Sequence, residues 1–141
     1  MKPPTFPSTA RADGATRVTS ARARRVAPPP EPTEAEMRRA VVEAARLTGW
    51  RIHHTRPGRT MHGWRTPLEG DKGFPDAVMI HPRAGLCWFV EFKARYGRLS
   101  ADQERWGRDL AAAGCDWRTV RGRAGLTALL DDMATLPRVA R

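Results

Sequence analysis

The sequence predicts an α/β fold in which a mixed sheet is flanked by helices. Three observations carry this. An amphipathic helix opens the folded part, a strand apolar on both faces lies in mid-chain, and a short strand between two helical stretches follows it. At 141 residues, one domain is the natural count. Residues 1–32 stand apart as an arm: they hold seven of the twelve prolines, and Phe6 is their only aromatic. Within residues 1–30, Lys2, Arg11, Arg17, Arg22, Arg24 and Arg25 face Asp13 alone. A disordered basic arm over 1–32 and a folded domain over 33–141 are therefore expected.

The elements follow in order. Thr33 is placed to cap a helix, with Glu36 at the capping-box position. Met37, Val41, Ala44 and Ala45 form its apolar stripe, and Gly49 ends it. Trp50 to His54 reads as a short strand. Residues 56–75, rich in Gly, Pro and Arg, read as a long loop of the functional or mobile kind. Asp76 to Ile80 is the next strand and His81 to Gly85 a turn. Leu86 to Ala94 is a strand with Trp88, Phe89, Val90 and Phe92 on both faces, the pattern of a central strand. Ser100 caps a helix running to about Ala113, with Gly114 as its stop. Trp117 to Val120 is a short strand, and residues 124–133 form a last helix with Leu126, Leu129, Leu130 and Met133 inward.

The net charge is +10, carried by 22 Arg and only 3 Lys. Arg suits bidentate phosphate contacts, and a basic chain points to nucleic acid, although a GC-rich genome would also inflate Arg, Ala, Gly and Pro. Outside residues 1–30, 19 basic side chains face 14 acidic ones, so the domain is basic in its own right. No run approaches the 18 or so apolar residues of a membrane span, and no N-terminal apolar segment reads as a secretory signal. Two cysteines, Cys87 and Cys115, make no disulfide framework, which fits a cytoplasmic, reducing setting.

The chemistry concentrates in Gly73-Phe74-Pro75-Asp76 and Glu91-Phe92-Lys93. Alternation puts Glu91 and Lys93 on one face of an otherwise apolar strand, where ionised groups are costly unless paired or metal-bound. A hairpin would set Asp76 alongside Glu91. Two adjacent carboxylates repel; a divalent cation relieves the conflict, and oxygen ligands suit Mg²⁺ or Mn²⁺. The bland alternatives are that Asp76 is only a turn residue and that Glu91 and Lys93 are a surface pair. His53, His54, His62 and His81 lack zinc-ligand spacing. His54 with Arg56 and Arg59 is placed to touch phosphate, and Trp64 to stack on a base.

Pro75-Asp76, fourteen residues, then Glu91-Phe92-Lys93 resembles the P-D…(D/E)-x-K nuclease motif. The finer likeness is to the virus-type replication-repair nuclease domain, the VRR-NUC family. It rests on the acidic helix start Glu34-Ala35-Glu36-Met37, on Gly73 to Asp76, on Glu91 to Lys93, and on Leu99-Ser100-Ala101-Asp102-Gln103, all in order. The resemblance implies a restriction-endonuclease-like core. It implies that Asp76, Glu91 and the backbone carbonyl of Phe92 hold Mg²⁺ or Mn²⁺. Lys93 would orient the attacking water or stabilise the scissile phosphate, and Gln103 would position water or Lys93. Glu34, on the inward face with Met37 and Val41, is the favoured third carboxylate over Glu36, which the capping box explains. Small stand-alone members are similar to Holliday-junction resolvases, so the resemblance implies branched DNA as partner and a homodimer. It also allows a phage-borne protein acting in a bacterial host.

Overall fold

The computed structural model describes residues 27–136 apart from 56–57, 61–62 and 66–69, and leaves aside the side chains of 58–60 and 64–65. Residues 1–26 of the expected arm lie outside the described residues, as do the side chains of Arg56, Arg59, His62 and Trp64.

Helix α1 (Glu34–Thr48) starts as its sequence dictates. The Thr33 hydroxyl accepts the Glu36 N–H, and the Glu36 carboxylate accepts the Thr33 N–H in return. Met37, Val41 and Ala45 lie buried along one stripe. Strand β1 (Arg51–His54) follows directly. The stretch read as an unbroken loop contains a hairpin instead, β2 (Gly58–Thr60) paired antiparallel with β3 (Gly63–Arg65) as a separate two-stranded sheet. These strands have three residues each and no apolar alternation, the signal by which strands are otherwise recognised.

Four strands make the main sheet. β4 (Ala77–His81) pairs antiparallel with β1 and with β5 (Leu86–Lys93), and β5 pairs parallel with β6 (Asp116–Arg121). Helix α2 (Ala101–Ala112) makes the β5-to-β6 crossover, and α3 (Gly122–Thr135) follows β6 without a loop. The last helix thus begins two residues before the expected start. The order β1-β4-β5-β6 makes β5 a central strand of a mixed sheet.

The two faces of β5 have different neighbours. Trp88, Val90 and Phe92 join Met37, Val41 and Ala45 of α1 and Leu129 and Met133 of α3 in the main core. Burying a side chain such as Phe92 contributes about 1.5–3 kcal/mol. The alternate residues face α2. Phe89 meets the Phe74 ring edge-on, and Phe74 in turn meets Trp106 of α2. Glu91 and Lys93 share the parity of Phe89 and so belong to this second face.

Residues just before α1 are tied to the body. Arg121, the N-cap of α3, supplies no side-chain cap. Glu31 does so from 92 residues upstream: one carboxylate oxygen accepts the Arg123 N–H at 2.9 Å, and the other pairs with Arg95 at 3.1 Å. The Arg123 hydrogen bond is the main reason the Glu31 carboxyl stands below its ordinary range. No helix among the described residues is long and apolar enough to cross a membrane.

The turn before β4 is docked on the start of α2. Gly73 has φ +88, and a Cβ there would lie 2.5 Å from the Asp102 carbonyl carbon and 2.7 Å from the Gln103 nitrogen. Gly85 also has positive φ, +64, but faces open space. Gly85→Ala should therefore cost only the left-handed strain, about 1–2 kcal/mol. Gly73→Ala should cost clearly more, because backbone must move. Urea denaturation of both variants checks this; equal losses would contradict the docking.

Candidate active site

The site forms where β5 ends. The β4–β5 ladder sets Ala77 opposite Val90, so continuing it by one residue sets Asp76 opposite Glu91. Asp76 Oδ2 accepts the Phe92 N–H at 2.9 Å and straps the start of β4 to the end of β5. Glu91 is 1% exposed, the one buried carboxylate among the described residues. Its Oε1 lies 2.8 Å from Lys93 Nζ and accepts a 2.5 Å hydrogen bond from Gln103 Nε2. Its Oε2 is buried with no hydrogen-bond partner.

Gln103 reaches Glu91 because a capping box holds it. Its side-chain oxygen accepts the Ser100 N–H at 2.9 Å, and its own N–H donates to Ser100 Oγ. With its oxygen fixed, the amide nitrogen faces the sheet. The sequence places Gln103 on the inward face near the strand end, and there it lies, on the same Glu91 oxygen that Lys93 meets.

Glu34 is engaged by backbone at the strand end. Its Oε1 accepts the Ala94 N–H at 3.1 Å, one residue beyond Lys93. Among the described residues no three His, Cys, Asp or Glu side chains converge in a metal-holding group. The structure thus brings together two carboxylates, Asp76 and Glu91, where the sequence favoured three. Glu36 is occupied by the capping box at Thr33, as its spacing suggested. His81 is fully buried, accepts the Ala84 N–H at 3.0 Å through Nδ1, and meets the Trp50 ring edge-on at the other end of β4.

Glu31 was missed as a fixed point. The Thr33 cap drew the domain boundary at 33, and no local signal announces a partner 92 residues away.

Burial raises the Glu91 carboxyl above its ordinary value of 4.5; the Lys93 hydrogen bond opposes this, and the Asp76 charge adds to it. The sign follows. Above 4.5 the unfolded chain has given up a proton that the folded, metal-free protein still holds, so ionising Glu91 counts against the fold as pH rises. Relative to wild type, Glu91→Gln in EDTA should gain stability as pH climbs above 4.5, until the folded carboxyl has itself ionised. Urea titrations across pH check this, and a constant stability difference between the two proteins would contradict it.

A sequence model of the VRR-NUC domain matches residues 41–124, well over half of the chain. The matched span includes Asp76, Glu91, Lys93 and Gln103 and begins after Glu34. Comparison with curated protein sequences finds no match. A solved structure described as a VRR_NUC domain superposes with a TM-score of 0.56 at 22% identity, covering 71% of this chain and 97% of that one. That likeness carries the fold, and the mixed sheet with its flanking helices agrees with it. The matched span, with Asp76, Glu91 and Lys93 gathered at the end of β5, shows that the chain belongs to the VRR-NUC family of nuclease domains.

Proposed function

We propose that the chain is a divalent-metal-dependent endonuclease that hydrolyses phosphodiester bonds in branched DNA. The observation that carries this is the state of Glu91. One of its oxygens is taken by Lys93 and Gln103, while the other is buried without a hydrogen-bond partner, in a residue that the strand register sets across from Asp76. A carboxylate oxygen left this way suits a hard cation that prefers oxygen ligands. Asp76, Glu91 and the Phe92 carbonyl would hold Mg²⁺ or Mn²⁺. A cation bound there lowers the pKa of its water and offsets charge developing on the phosphate.

The chain's own residues supply the rest. Asp76, anchored on the Phe92 N–H, keeps its carboxylate at the end of β5. Gln103 fixes the Glu91 rotamer from α2. Lys93 brings a cation to the same point, where it orients the attacking water or meets the scissile phosphate. Glu34, on the Ala94 N–H, buttresses the strand end. Arg side chains elsewhere on a chain of net charge +10 bind phosphates without reading sequence. A four-way junction has two equivalent strands to cut, so a homodimer acting in the manner of a Holliday-junction resolvase is the natural form.

Asp76→Ala, Glu91→Ala and Lys93→Ala should each slow cleavage at least about a hundredfold, with DNA binding little changed. Gln103→Ala should cost about 10- to 100-fold, as for groups that orient a ligand. Labelled four-way junction, flap and plain duplex, each with Mg²⁺, Mn²⁺, Ca²⁺ or EDTA, provide the assay. Cleavage with Mg²⁺ or Mn²⁺, binding without turnover in Ca²⁺ and preference for the junction are expected. Equal nicking of all three DNAs by a monomer would replace the resolvase reading with a simple nicking nuclease. Full activity in EDTA, or wild-type cutting by Lys93→Ala, would refute the proposed site. Binding without cleavage under every condition would leave a DNA-binding module.

A further inference from the structure

The turn between β5 and α2 is held from three sides, yet it presents an aromatic ring to solvent. Gly97 N–H closes it on the Ala94 carbonyl at 2.9 Å. The Ala94 N–H is taken by Glu34 and the Arg95 guanidinium by Glu31. Arg121, from the neighbouring strand β6, donates to the Gly97 carbonyl. Tyr96 sits at the tip of this turn with 85% of its surface exposed, more than any other large apolar or aromatic side chain among the described residues. The Arg95 guanidinium lies 5.4 Å from its ring centroid. A single exposed aromatic is ordinary. This one stands on a turn tied to its surroundings, beside Arg95, two residues from Arg98 and three from Lys93, and Arg121 reaches the next residue, Gly97.

We infer that Tyr96 is a stacking platform for an unpaired DNA base next to the scissile phosphate. This rests on the nuclease reading above and specifies how branched DNA would be selected. Three peptide steps span at most about 11 Å, about three base rises along a duplex strand. With the reach of the two side chains added, the platform serves a base within a few nucleotides of the phosphate that Lys93 meets. Paired bases bury their faces against neighbours in the duplex. Only a nucleotide unstacked at a branch, a tail or a nick offers a face to the ring. Preorganisation by Glu31, Glu34 and Arg121 removes the ordering cost that a mobile loop would incur on binding. The surrounding Arg side chains hold the backbone on either side of the stacked base.

The test is equilibrium binding of the full chain in Ca²⁺, without turnover. Wild type, Tyr96→Ala and Tyr96→Phe are compared on three DNAs: a blunt duplex, the same duplex with a single-stranded tail, and tailed duplexes with one abasic nucleotide at successive tail positions. Tyr96→Ala should weaken the tailed duplex about 5- to 100-fold, the range for one base stacked on one aromatic ring. The blunt duplex should change by less than about twofold, and Tyr96→Phe should bind the tail like wild type. At one tail position the abasic site should weaken wild type by a similar factor and abolish the effect of Tyr96→Ala. Equal losses on blunt and tailed DNA, a Tyr96→Phe defect as large as that of Tyr96→Ala, or a Tyr96→Ala loss indifferent to every abasic position would each overturn the platform. Because the readout is binding, the two readings fail separately. A wild type that shows this coupling yet cuts nothing in Mg²⁺ or Mn²⁺ rejects the nuclease and keeps the platform. A wild type that cuts, with Tyr96→Ala binding unchanged, rejects the platform alone.

Discussion

An ionised carboxylate removed from water costs several kcal/mol unless its neighbours compensate it, and Glu91 is that carboxylate here, 1% exposed in the central strand of the sheet. Much of the surrounding structure can be read as its compensation. Lys93, two residues along on the same face, brings the opposite charge to 2.8 Å. Gln103 brings an amide donor from α2. Compensation stops halfway, since both donors converge on one oxygen and leave the other without a partner. A protein selected for stability alone would place an apolar residue at this position, as its neighbours Val90 and Phe92 are. The proposed cation would complete this compensation.

The fold supplies the rigidity that such a group needs. β5 is laddered antiparallel to β4 as far as Val90 and parallel to β6 as far as Lys93, so its end is held on the β6 side. Asp76 adds a side-chain strap where the β4–β5 ladder gives out. α2 is registered against the sheet twice, through Gly73 beneath its first turn and through Gly107, where any side chain would collide with the Trp117 ring. The capping box at Ser100 thus has two consequences at once. It starts the helix, and by fixing the Gln103 oxygen it commits the amide nitrogen to Glu91. A change at the cap would be felt at the site.

Legibility in the sequence followed the range of the interactions. The helix α1 with its Thr33 and Glu36 box, the central strand and the Ser100 cap are local patterns, and each lies where its residues predict it. Glu91 and Lys93 share a face by simple alternation, and the face of Gln103 followed from its spacing to Trp106 and Leu110. Interactions between distant segments left no such trace. Glu31 looks like the end of a proline-rich arm, yet it caps a helix 92 residues downstream. Helical spacing puts Glu34 on the inward face, but it cannot tell a ligand from a residue that accepts the Ala94 N–H. The β2–β3 hairpin carries too few apolar residues to betray its strands. Tyr96 reads as one more loop residue until the ties on its turn are seen together.

The central claim is that the free oxygen of Glu91, with Asp76 opposite, is a cation site. Calorimetric titration of the full chain with Mn²⁺ tests this without DNA and without turnover. The account predicts saturable binding that strengthens with rising pH, as the cation replaces a proton on a carboxyl held above its ordinary range, and that is lost in Glu91→Gln and in Asp76→Asn. Equal Mn²⁺ binding by wild type and by either variant would contradict it.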